Sequence, residues 1–196
     1  MTVKDFINKY FIEEIGSLVE ERPFVSFVLM AIGIEFLGKC LNANDWDDKN
    51  EKSGKTFDDA IQHFDSLMKY QVIPDLYHSL RCGLAHRLMV KGQIILSPNK
   101  NDLIGPTFTI GCKDFYSDFR QACIDTINNK NGMIKKNLCE EYDIEIDGIT
   151  GSTQTANSTV ILMRKKGLHS EKKVWFSLFR KNFLVNILRN IQRFLN

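Results

Sequence analysis

The sequence predicts a mainly helical domain that carries a short β-hairpin and ends in a basic amphipathic helix. Three observations predict it. Apolar residues recur at three- and four-residue spacing through most of the first 130 positions. Two short β-prone runs, 93–97 (QIILS) and 106–110 (PTFTI), interrupt that pattern. The stretch 164–196 holds nine Lys or Arg against one acid, Glu171, on an apolar framework. With 196 residues, 43% of them hydrophobic, the chain is long enough to bury a proper core as one domain with an appendage. The divisions read from composition are a helical domain over 1–147, a Ser/Thr-rich linker over 148–158 and a basic C-terminal extension over 159–196.

Residues 2–20 set Val3, Phe6, Ile7, Tyr10, Ile15 and Leu18 at helical spacing, and Pro23 opens a more apolar helix to about Leu41. Its apolar run, Phe24 to Gly38, contains Ser26 and Glu35 and falls short of the roughly 20 residues that span a bilayer. It reads as a core helix. Glu35 stands as an acid in AIGIEFLGK, where it either finds a base at the edge of the core or orients Arg81. The N-terminal segment mixes both charge signs, unlike a secretory signal, so the expected location is cytoplasmic.

The polar run 42–55 is a surface loop with Trp46 as a local anchor. Thr56 or Asp58 can cap a third helix reaching about Tyr70, with Phe57, Ile61, Phe64 and Met68 inward and His63 at the surface. Next comes a helix over 73–92, with Pro74 and Asp75 in its first turn, Gly92 at its end and leucines at 76, 80, 84 and 88. The runs 93–97 and 106–110 pair as the hairpin, 114–129 returns to helical spacing, and YDIEIDGIT alternates like an edge strand. The final segment sets Trp175, Phe176, Phe179, Phe183, Ile187 and Ile191 against a basic side.

Charge is uneven. The stretch 164–196 carries +8 and residues 1–163 carry −6, which points to an anionic partner for the tail, nucleic acid or a membrane surface. The candidate contacts are Lys165, Lys166, Arg180, Lys181, Arg189 and Arg193. Five scattered cysteines without a C-x-x-C pair argue for reduced thiols over a disulfide framework or a zinc ribbon.

At 100° per residue, Arg81, His78, Cys82, Ala85 and His86 share one face of the central helix, away from the leucines. Three chemistries fit such a face. His78, Cys82 and His86 are spaced four and four like zinc ligands, but HEXXH is missing and Arg81 would repel a metal. A Cys82–His86 nucleophilic pair lacks an orienting acid and an oxyanion hole. The third uses Arg81, a permanent forked donor matched to phosphate oxygens, and His86, an imidazole that exchanges protons near neutrality. RNA supplies its own nucleophile in the 2′-hydroxyl, so this chemistry calls for neither metal nor cofactor.

RCGLAH, Arg81 to His86, is an Arg-x4-His motif. With the preceding LYHSL, the earlier apolar GIEFLGKCL and the helical body, it resembles the HEPN family (higher eukaryotes and prokaryotes nucleotide-binding) over about residues 1–130. The resemblance implies a HEPN-like helical bundle and a metal-independent endoribonuclease acting on RNA. It also implies a homodimer whose motifs face one composite cleft. Members of the family serve in toxin–antitoxin systems and phage defence, so a neutralising antitoxin partner is a further implication. Arg81 and His86 would be the catalytic residues, with Glu35, His78 and Cys82 supporting. Cys82 departs from the Asn, Asp or His common at its position, and a thiol orients a phosphate poorly. The alternative is a non-catalytic dimeric scaffold or partner-binding module whose basic helix contacts nucleic acid or a membrane surface.

Overall fold

A computed structural model describes residues 1–46, 48, 50–146 and 161–165, the segments 143–146 and 161–165 by their backbone. The protein is mainly helical, as the spacing predicts.

Helix α1 (residues 3–18) starts with a capping box. The Thr2 hydroxyl accepts from the Asp5 amide at 3.0 Å and the Asp5 carboxylate accepts from the Thr2 amide at 3.1 Å. Its α-helical ends, Val3–Phe6 and Ile15–Leu18, flank wider π-helical turns over Ile7–Glu14. There the Ile12 carbonyl accepts from the Tyr116 hydroxyl at 2.5 Å.

Helix α2 (Pro23–Cys40) is the axis of the bundle. Proline suits its first position because the missing N–H has no partner there in any helix. By length and composition it passes as a membrane span, yet 72% of that window is buried inside the fold. A helix apolar all round needs neighbours on every side, and α2 has them. Phe27, Ile34, Phe36 and Leu37 are among its fully buried side chains, each worth about 1.5–3 kcal/mol of burial. Gly38 faces the Thr56 carbonyl so closely that a Cβ would collide with it. Trp46 anchors the following loop, stacked on Phe36 at 5.2 Å and donating from its indole to the Tyr142 hydroxyl at 3.3 Å.

Helix α3 (Ser53–His63) differs from the expectation at both ends. Lys52 occupies the cap position, and Thr56 is buried within the helix, its hydroxyl donating to the Ser53 carbonyl at 2.9 Å. The helix stops at His63 because Phe64 is extended (φ −94°, ψ 115°). The chain then docks on the later helix α5 (Cys112–Ile127) before a short 3₁₀ turn, Met68–Val72. Ser66 donates to the Asp118 carbonyl at 2.8 Å and the Tyr70 hydroxyl to the Asp118 carboxylate at 2.6 Å. Lys69 lies 2.8 Å from that carboxylate, and Lys130 bridges Asp65 and Asp125 at 3.1 and 3.6 Å. Met68, expected inward, is 45% exposed, because the break turns it outward while Phe64, Leu67 and Tyr70 take the core positions.

Helix α4 (residues 77–87) is shorter than the predicted 73–92. Asp75 has a left-handed backbone (φ 49°), so Pro74 and Asp75 form a turn before the helix. Leu88 (φ 55°) ends it in the left-handed conformation, ahead of Gly92. The reversal depends on Gly83, since a Cβ there would meet the Met89 carbonyl. With it absent, the Met89 amide reaches the Gly83 carbonyl at 3.3 Å and the Lys91 amide reaches that of Ser79 at 3.0 Å.

The expected hairpin is a parallel pair. Strands β1 (Ile94–Ser97) and β2 (Phe108–Gly111) run side by side in register from Ile94↔Phe108 to Ser97↔Gly111. The connection 98–107 crosses β2, and Asp102 exchanges two hydrogen bonds with Thr109, at 2.8 and 2.7 Å, on the opposite edge. The antiparallel partner of β2 is thus one residue of the connection, and β1 takes the other side. Helix α5 (Cys112–Ile127) buries Phe115, Phe119, Ala122 and Cys123, and the Phe119 ring occupies the space left by Gly33.

Beyond it, β3 (Tyr142–Ile146) pairs antiparallel with β4 (Ile161–Lys165), where the sequence reads an edge strand from Tyr142. Lys165 closes β4. The expected linker 148–158 and the expected basic C-terminal helix, with Lys166, Arg180, Lys181, Arg189 and Arg193, fall outside the described residues.

Candidate functional site

Glu35, on α2, and Arg81, on α4, meet in the interior. Arg81 Nε lies 2.6 Å from Glu35 Oε2, with the two side chains 8% and 5% exposed. The Nε–H does not line up on the carboxylate oxygen, so the contact is a close ion pair and not an aligned hydrogen bond. Burying both charges is tolerated because they are paired, and losing either would strand the other. The Tyr77 ring lies 5.9 Å from the guanidinium carbon, within reach of a cation–π contact. Burial, together with a hydrogen bond to Cys82, pushes the Tyr77 hydroxyl up to about 12.

The other residues of the predicted face are dispersed. His86 is exposed in the last turn of α4, and Cys82 is half-buried between it and Tyr77. His78 is exposed and turns to Asp75, its Nδ1 2.6 Å from Asp75 Oδ1, with its ring edge-on to Tyr77 at 5.0 Å. Ala85 joins the leucines in the core at 5% exposure. The physical reason is the turn geometry. Residues Tyr77–Cys82 form π-helical turns, so a wheel drawn at 100° per residue does not describe them. Arg81 therefore points into the bundle while the two histidines face outward. Among the described residues no group of three His, Cys, Asp or Glu side chains is arranged to hold a metal ion.

Spacing alone missed a cavity of about 1010 Å³ between α3, along its length, and the segment leading into α4. Asp58, Asp75, Tyr77 and His78 line it. Desolvation raises the Asp58 carboxyl above its usual range, with Asp59 and Asp75 adding to the effect and His78 opposing it. In the sequence the only sign was the adjacent pair Asp58–Asp59, far from Asp75.

Fold and site together define a mainly helical protein with a buried Arg–Glu pair beneath a helix that carries an exposed histidine. No protein-family model, curated protein or solved structure matches the chain.

Proposed function

We propose that this protein is an RNA-binding, metal-independent endoribonuclease of HEPN type, working as a homodimer with Arg81 and His86 of each copy at a shared cleft. The observation that supports this reading is that Glu35 clamps Arg81 at 2.6 Å while His86 stays exposed five residues along the same helix. One group is fixed and the other is accessible. In this reading Arg81 steadies the scissile phosphate, His86 moves a proton to or from a ribose or leaving oxygen, and Glu35 is a positioning residue. General acid–base assistance of this sort contributes roughly 10²–10⁴-fold.

The burial of Arg81 favours a second reading. A guanidinium 8% exposed and matched by a buried carboxylate has little charge to offer a phosphate from one copy alone. The Arg81–Glu35 pair would then be a structural tie in a non-catalytic dimeric scaffold or partner-binding module, whose basic segment contacts nucleic acid or a membrane surface.

RNA cleavage measured in EDTA, wild type against His86→Ala, separates the two. Cleavage by wild type, lost in His86→Ala with circular dichroism unchanged, supports the nuclease. No cleavage by wild type supports the module. Deleting residues 165–196 should weaken RNA binding and flatten its salt dependence if the tail contacts phosphates.

A further inference from the structure

Positive charge and exposed apolar surface coincide in one part of the chain. From residue 76 to residue 101 there is no Asp or Glu, although residues 1–163 as a whole carry −6. Three large apolar side chains that stay exposed in the fold, Met89 (59%), Ile95 (52%) and Ile104 (88%), fall in or beside that stretch. The small sheet brings two of them together. Residues paired across a ladder project to the same side, so Ile95, Thr109 and Asp102 share the outer face while Ile94 and Ile110 are buried on the inner one. The Asp102 carboxylate accepts from the Ile104 amide at 3.2 Å, which sets Ile104 beside that face. Lys100 lies 3.7 Å from the same carboxylate and offsets its charge. On the approach to β1, Arg87 and Lys91 are exposed on either side of Met89, and neither has an acid within ion-pair distance among the described residues.

This combination suits an anionic lipid surface better than a polynucleotide. Single-stranded RNA is held by stacking its bases on aromatic rings, and none of the exposed apolar side chains here is aromatic. A bilayer interface takes aliphatic side chains at the acyl boundary and cations among the headgroups. We propose that this face docks on an anionic membrane surface, with Ile95 and Ile104 entering the interface and Arg87 and Lys91 meeting headgroup phosphates. The contact uses neither the Arg81–His86 pair nor the basic C-terminal segment.

Cosedimentation of the full chain with phosphatidylcholine vesicles, with and without phosphatidylglycerol, tests the assignment. Wild type should bind the anionic vesicles more tightly than the neutral ones. Arg87→Gln with Lys91→Gln should weaken that binding by about twentyfold at low salt, as two headgroup contacts imply. Ile95→Thr with Ile104→Ser leaves the charge unchanged and keeps a β-branched residue in the strand. It should weaken binding by about tenfold and hold that deficit at high salt, where the effect of the charges is screened. The C-terminal segment is present in every variant, so whatever it adds is common to all. Absence of binding by wild type, or equal binding of anionic vesicles by wild type and either variant, overturns the proposal. Loss of single-stranded RNA affinity in the charge variant with vesicle binding unchanged also overturns it, and identifies a nucleic-acid surface instead. None of these readouts involves RNA cleavage, so the nuclease reading stands or falls separately.

Discussion

Removing the Glu35 carboxylate strands a guanidinium. In Glu35→Ala the Arg81 side chain, 8% exposed, loses the oxygen 2.6 Å from its Nε and keeps its charge in the interior. Breaking a buried pair from one side costs about 3–5 kcal/mol. Because the Nε–H and the carboxylate are not aligned, the lower part of that range applies, about 3 kcal/mol. For a chain of this length that lowers Tm by roughly 6–12 °C. Circular dichroism melting and urea unfolding, with the slope on denaturant held constant, give the value. The double replacement Glu35→Leu with Arg81→Met should recover most of the loss, since an apolar pair of similar volume has no charge to desolvate. A loss below about 1 kcal/mol in Glu35→Ala, the level of a surface ion pair, would refute the reasoning, because it would mean that water reaches Arg81.

Two further outcomes follow from the packing. Gly38→Ala places a methyl on the Thr56 carbonyl, so α2 and α3 must separate, and urea unfolding should register a loss of about 1–3 kcal/mol. Tyr77 gives a pH dependence: its hydroxyl is raised from 10.0 to about 12 in the folded chain, so the folded state holds that proton more tightly than the unfolded state. Its contribution is complete below pH 10 and disappears as the pH rises through about 12. Alkaline unfolding followed by circular dichroism should therefore be shallower in Tyr77→Phe than in wild type between those values.

The parts of the fold written in local spacing were legible. The apolar repeats of α1 and α5 each specify a face, the unbroken apolar run of α2 specifies a central helix, and α1 carries its capping box in the four residues from Thr2 to Asp5. An acid inside an otherwise apolar α2 signalled a buried partner, and Glu35 meets Arg81. What failed was whatever depends on a distant element. The stripe Phe57, Ile61, Phe64 and Met68 is good helix spacing, but bonds from Ser66 and Tyr70 to Asp118 on α5 break it at His63. The two β-prone runs revealed strands and not their direction, which a backbone exchange between Asp102 and Thr109 decides. The predicted site face was drawn on a regular α-helix, and the π turns from Tyr77 to Cys82 turned Arg81 inward from it. The cavity joins residues from two elements that share no periodicity, so no pattern along the chain announced it.

Asp118 takes Ser66 on its carbonyl and both Tyr70 and Lys69 on its carboxylate. It thereby fastens the strap of chain that runs on through Ile73 to Tyr77 and becomes one lip of the cavity. Slackening that fastening, by Asp118→Ala on the far helix, would let the lip drift and change the width of the cleft without touching a single group inside it.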